Sequence, residues 1–207
     1  MSALATSRRQ FVAGMAAGLA AGALSACAGD PPPPETFYRL GDAAPAPALA
    51  GGPIRGILDV PQVRTQGIVG GRAILYRSAP EQVIAYHYHA WQEPTGVMMQ
   101  RALLDALRDA QAFETVATPE MRLDRTHELM GDLLRLEHVL SGAGSVVVEI
   151  EVSLRRIAGN RLLLSKTYRA EEPSGAAMTA AVAAFTRAVG KITAALLADL
   201  AALPKTG

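Results

Sequence analysis

The sequence predicts an α+β domain, with a mostly antiparallel sheet covered by two amphipathic helices. Three observations carry that prediction. Val146, Val148, Ile150, Val152 and Leu154 alternate with Val147, Glu149, Glu151, Ser153 and Arg155, the period of a strand with one wet face. Met178, Val182, Phe185, Val189, Ile192 and Leu196 recur every three or four residues, the period of a helix with one buried stripe. The order of segments is strands, helix, strands, helix, which groups the strands instead of alternating them with helices.

Taken in order, the chain opens with Ser7-Arg8-Arg9-Gln10-Phe11-Val12, a basic n-region, followed by an Ala- and Gly-rich apolar run from Phe11 to Leu24. That run falls short of the roughly 20 residues a bilayer-spanning helix needs. It ends in Leu24-Ser25-Ala26-Cys27, a lipoprotein cleavage box holding the only cysteine of the 207 residues. Residues 1–26 therefore read as a cleaved signal peptide, and Arg8-Arg9 with Phe11 resembles a twin-arginine export signal. Cys27 is the expected lipidation site, taking diacylglycerol on sulfur and a palmitate-type chain on its new amino terminus. Ala28 in place of aspartate favours sorting to the outer membrane. Residues 27–53, with Pro31 to Pro34 and an Ala/Pro/Gly stretch, read as a tether. Residues 54–207 read as the single folded domain.

Phe37-Tyr38-Arg39-Leu40 could open the fold as a short strand. Ile54 to Val63 and Ala73 to Arg77 read as strands separated by Gly67, Gly70 and Gly71, joined by a loop or hairpin. Val83 to Trp91 alternates, with Ile84, Tyr86 and Tyr88 expected inside and His87 and His89 on the other face. Pro94-Thr95 announces a helix capped by Thr95, with Met99, Leu103, Leu107 and Ala110 on its buried stripe. Leu133 to Leu140 is a strand. Ser141-Gly142-Ala143-Gly144 turns it into the Val146 strand, and Gly159-Asn160 turns that into Arg161 to Ala170. The long apolar-striped helix closes the chain, packing on the sheet.

Composition excludes some roles. Loss of the signal removes Arg8 and Arg9 from the 20 basic residues and none of the 19 acidic ones, so the mature chain is almost balanced and offers no basic stripe for nucleic acid. With Cys27 committed to lipid, no internal disulfide can form. No Gly-x-Ser-x-Gly, His-Glu-x-x-His or phosphate-cradling loop before a lysine is present, so no catalytic residue, cofactor or metal is expected. His87 and His89, two apart on a strand, could in principle share a zinc ion with His127, His138 or Glu137, but a polar strand face is the simpler reading. Glu149 and Glu151 share a face and are expected to meet water. Trp91, Tyr86 and Tyr88 are expected to close the core under the Thr95 helix.

The lipobox, Phe37-Tyr38-Arg39-Leu40, Ile74-Leu75-Tyr76-Arg77, Val83 to Tyr88 with Trp91 and Pro94, and the helix ending in Ala112-Phe113-Glu114-Thr115-Val116 together resemble the ABC-type transport auxiliary lipoprotein family, which includes the Pqi-type membrane-integrity subunit. The resemblance runs from about Phe37 to the last helix. It implies a non-enzymatic, periplasm-facing lipoprotein of an ABC/MCE-type system that moves lipid between the inner and outer membranes. It further implies an MCE-domain protein and an ABC permease as partners, and leaves homo-oligomerisation beside a symmetric ring open. Two other classes fit a tethered α+β domain. One is an outer-membrane lipoprotein that activates a cell-wall synthase or lipopolysaccharide export; the other is a domain enclosing a lipid in an apolar pocket.

Overall fold

The computed structural model describes residues 32–41 and 45–204. They form β1 (Thr36–Tyr38), β2 (Ile54–Asp59), β3 (Arg64–Thr65), a 3-10 turn (Gly67–Gly70), β4 (Ala73–Ala79), β5 (Gln82–Trp91), α1 (Thr95–Asp109), β6 (Phe113–Ala117), β7 (His127–Val139), β8 (Ser145–Arg156), β9 (Arg161–Pro173) and α2 (Met178–Ala201), with short 3-10 turns at Pro119–Met121 and Ala158–Asn160. The folded unit begins at Glu35. The stretch expected as tether up to Pro53 thus already contributes β1 and the buried Leu49, whose N–H donates to the Ala110 carbonyl.

β7 organises the sheet because it is 13 residues long and is paired on both edges. Its one edge runs antiparallel to β8, which runs antiparallel to β9, so β7, β8 and β9 form the meander expected from the two Gly-containing turns. Its other edge is filled end to end by three segments running parallel to it: β2 beside His127 and Glu128, β3 beside Asp132 and Leu133, and β4 beside Glu137 to Val139. β2 pairs onward with β6, also parallel, while β4 pairs antiparallel with β5, and β5 parallel with β1.

The expectation of a mostly antiparallel sheet is therefore corrected. The sheet is mixed, with five parallel pairings against three antiparallel ones. The cause is a crossover. The chain from β2 to β4 is laid down first, and α1 and β6 intervene before β7 arrives beside it in the same direction. Ile54 to Val63 and Ala73 to Arg77 do not pair with each other; both border β7.

Alternation on β8 sorts the two faces. Val146, Val148, Ile150, Val152 and Leu154 are wholly buried under the helices, and their partners on β7 are His138, Leu136, Leu133, Gly131 and Leu129. A bulge at Leu134 keeps the apolar residues of both halves of β7 on that face; without it, a one-residue slip would turn half the strand outward. α2 lies on β8 and β9, α1 lies against β6 and β3, and the helices touch each other over one shared core. Phe185 of α2 meets Trp91 edge to face at 5.4 Å between ring centroids. Each fully buried Leu, Ile or Phe there contributes about 1.5–3 kcal/mol.

Both helices follow their predicted stripes. Met99, Leu103, Leu107 and Ala110 are buried, as are Phe185, Val189, Ile192 and Leu196. Thr95 does not cap α1. Pro94 holds the cap position, and the Thr95 hydroxyl donates to the Val69 carbonyl at 2.5 Å, tying the helix start to the 3-10 turn. By length and composition α2 could cross a membrane. Its apolar stripe is spent on the core, and its outer groups are clamped to β9: the Lys166 ammonium and the Tyr168 hydroxyl both donate to Asp199, and Arg187 and Lys191 both reach Glu172.

Candidate docking edge and ion-pair face

Two surfaces carry the side chains that sequence reasoning singled out: the edge formed by β1 and β5, and the face of the sheet opposite the helices.

At the edge, β5 departs from simple alternation. Ala85 pairs with Leu75, yet Ala90 pairs with Ala73, so two steps along β4 are matched by five along β5. The three extra residues form a bulge, and an odd insertion reverses which side chains face inward. Tyr86, His89 and Trp91 consequently all turn toward the core side, whereas Tyr88 is 41% exposed. The expected grouping of Ile84, Tyr86 and Tyr88 inside, opposite His87 and His89, is corrected by this bulge at Tyr88 and His89, while Trp91 is buried in the core as expected.

The bulge builds a polar aromatic cluster. The Tyr38 hydroxyl bonds His89 Nδ1 at 3.1 Å, and the Tyr86 hydroxyl bonds His138 Nδ1 at 3.0 Å. His138 is fully buried and its Nε2–H donates to the Gly175 carbonyl at 2.9 Å, since a carbonyl can only accept. This one imidazole joins β5, β7 and the β9–α2 connection. Burial, with Tyr76 beside it, raises the Tyr86 pKa, keeping the phenol a donor. On the outer side of the same edge, Phe37 is 50% exposed, with the Arg72 guanidinium 4.8 Å over its ring. Phe37 lies beside Ala90, so Tyr88, two residues earlier, shares its side of the strand.

The histidines do not assemble. His87 is exposed beside Tyr88, and His89 belongs to Tyr38. His127 and His138 stand at opposite ends of β7, roughly 35 Å apart at about 3.3 Å per residue. His127 bonds the Thr126 hydroxyl and rests on Phe113; burial, with Arg156 nearby, lowers its pKa. Among the described residues no group of three or more His, Cys, Asp or Glu is arranged to hold a metal. Cys27 lies outside the described residues.

The opposite face carries a ladder of charges missed by sequence reasoning. Arg77 and Arg135 both donate to Glu137, which is only 3% exposed. Arg135 and Arg169 flank Glu149 at 3.9 and 3.8 Å, and Arg169 also reaches Glu171. Burial pushes the Glu137 carboxyl up, but its two guanidinium partners more than offset it and hold it below the usual carboxylate value. Glu151 faces water as expected, whereas Glu149 is half-buried within the ladder. The signal was present as charges two apart on each strand, Arg135/Glu137, Glu149/Glu151 and Arg169/Glu171. Only the hairpin register sets Arg135, Glu149 and Arg169 side by side.

Two surface depressions among the described residues, one along Gln62 to Gln66 with Asp132 and one between Arg108 and Phe113, are open and mixed in polarity. Neither is the enclosed apolar chamber that a lipid-carrying domain requires.

Residues 38–197 match the family model of the ABC-type transport auxiliary lipoprotein component. The chain belongs to that family. The match runs from Tyr38, the last residue of β1, to Leu197 within α2, and includes β5 and the charged face. Protein XCC0632 from Xanthomonas campestris is similar to this auxiliary lipoprotein at 22% identity, with 78% of this chain and 92% of that one aligned and a TM-score of 0.70. A second solved structure, described as an uncharacterized protein, aligns at 14% identity over 81% of this chain and 99% of its own, with a TM-score of 0.65. At these identities the two likenesses establish the shared fold. A comparison with curated protein sequences returned no match. The family is one of transport auxiliary lipoproteins and not of enzymes.

Proposed function

We propose that this auxiliary lipoprotein is the non-enzymatic, periplasm-facing component of an ABC/MCE-type lipid transport system of the Pqi type. Acyl groups on Cys27 hold it at the outer membrane, and the folded domain docks on an MCE-domain protein whose ABC permease sits in the inner membrane. The observation that carries the reading is the family match over nearly the whole folded unit, directly downstream of a lipobox. The role is positional. Three acyl chains give stable attachment, which one chain alone does not, and the domain brings its docking surface to the periplasmic end of the MCE assembly. Envelope integrity depends on the bridge being complete.

The test is replacement of Cys27 by Ala in a strain lacking the wild-type gene. The expected outcome is loss of the protein from outer-membrane fractions and an envelope as permeable to detergents as that of the deletion strain. Normal permeability in both strains would overturn the transport reading.

A further inference from the structure

Six Lys and Arg side chains lie on the meander of β7, β8 and β9. Four of them face a carboxylate: Arg135 reaches Glu137 and Glu149, Arg155 reaches Glu128, Lys166 reaches Asp199, and Arg169 reaches Glu149 and Glu171. The other two, Arg156 and Arg161, have no ion pair among the described residues. They stand directly opposite each other where β8 turns into β9, and His127 of β7 stands opposite Arg156 on its other side. Like charges set opposite each other on neighbouring strands repel. Glu128, one residue along β7, cannot relieve them, because it is shared by Arg125 and Arg155, and Asp59 beside it is taken by Arg125.

The arrangement calls for an anion. Strand partners directly opposite have Cβ atoms about 4.5–5.5 Å apart, so both guanidinium groups can fork onto one tetrahedral oxyanion. The Arg156 Nε is in addition buried without a hydrogen-bond partner. Leu162 follows Arg161 and is 59% exposed, the most exposed large apolar side chain among the described residues. Unmatched arginine next to uncovered leucine at the end of a hairpin fits the boundary of a bilayer, where phosphate lies directly above acyl chain. A free phosphate ion would draw on the arginines alone.

We propose that the end of the β8–β9 hairpin seats on a membrane, with Arg156 and Arg161 holding the phosphate of an anionic phospholipid headgroup and Leu162 entering the apolar boundary beneath it. The inference rests on the reading that Cys27 anchors the chain to a membrane, and adds a side-chain contact to that anchor. The acyl groups limit distance, whereas the hairpin end sets which side of the domain meets the bilayer. A weak contact suffices, because the anchor keeps the local concentration of headgroups high.

The experiment is flotation of the mature chain, residues 27–207 carrying Cys27→Ala so that no acyl group binds in its place. The vesicles are phosphatidylcholine alone, or phosphatidylcholine with about one-third phosphatidylglycerol. Binding to the anionic vesicles is expected to be at least tenfold tighter than to the neutral ones, with the preference lost in high salt. Arg156→Gln with Arg161→Gln is expected to weaken it at least tenfold, while Arg156→Lys with Arg161→Lys keeps most of it. Removing two charges elsewhere, by Arg39→Gln with Arg101→Gln, is expected to leave binding within about twofold. Trp91 emission confirms the native core in each variant. Without vesicles, the paired Gln variant is expected to be at least as stable as the wild type in thermal unfolding, since it removes a repulsion. Equal binding to both vesicles, or binding untouched by the paired Gln changes, overturns the site and leaves the transport reading standing. Stabilisation by inorganic phosphate through Arg156 and Arg161, with no vesicle binding, assigns the pair to a free anion and overturns it as well. The transport reading falls only with the strain test of Cys27→Ala.

Discussion

Glu137 is the residue on which the charged face of the sheet turns. Its carboxylate is buried and shared by Arg77 and Arg135, so removing its charge leaves two guanidinium groups short of their acceptor. Glu137→Gln should destabilise the domain by about 1.5–3 kcal/mol, the range for hydrogen bonds to charged groups, as read by urea unfolding. Because its folded pKa lies below the ordinary 4.5, its contribution is complete above that value and drains away as pH falls through the lowered folded value. The variant's stability should therefore fall less steeply than the wild type's below pH 4.5. Trp91 gives a second test at this scale, since it is the only tryptophan and is almost wholly buried against Phe185. Phe185→Ala should cost about 3–5 kcal/mol and shift Trp91 emission to longer wavelength. An unshifted spectrum would mean the two rings do not form the centre of the core.

Close approach between elements is visible at Gly96, at the start of α1. A Cβ there would lie 2.4 Å from the Val63 carbonyl oxygen, which is backbone and cannot swing away. Gly96→Ala should therefore move α1 off the segment leading into β3, destabilising the domain by about 1–3 kcal/mol; a neutral result in thermal unfolding would show that α1 is free to slide. The two helices and the β7 to β9 meander were legible, because their apolar periods are long and Gly142-Gly144 and Gly159-Asn160 punctuate them. The direction in which β2, β3 and β4 pair was not. Their pairing depends on β7, which lies some 50 to 70 residues further along, and no local pattern encodes it. The β5 bulge was hidden for a related reason: its alternation of aromatic and apolar residues reads as regular until β4 fixes the register.

Over the whole molecule, links between elements depress the pKa values of Glu172 by Lys191 and Arg187, Asp199 by Lys166 and Tyr168, Glu171 by Ser145, and Glu137 by the burial-opposing arginines. Two of these links clamp α2 to β9, and each weakens as acid protonates its carboxylate. Acid unfolding should accordingly begin below pH 4.5 and release α2 first, which native-state hydrogen exchange on Met178–Ala201 at falling pH would detect. Of the two candidate surfaces, the sequence made the aromatic residues of β5 visible but not their place near the rim of the sheet, since that is a property of the finished sheet. The proposed lipid anchor at Cys27 rests on the opposite kind of signal, a local one carried by four residues of sequence.

The central claim is that this lipoprotein works within an MCE-type transport assembly. The most direct measurement is affinity purification of the tagged, acylated protein from its own cell membranes, with quantification of every co-purifying protein. Recovery of an MCE-domain protein and an ABC permease in fixed ratio to the lipoprotein is the predicted result. Recovery of a cell-wall synthase or a lipopolysaccharide-export protein in fixed ratio, without either transport component, would contradict it.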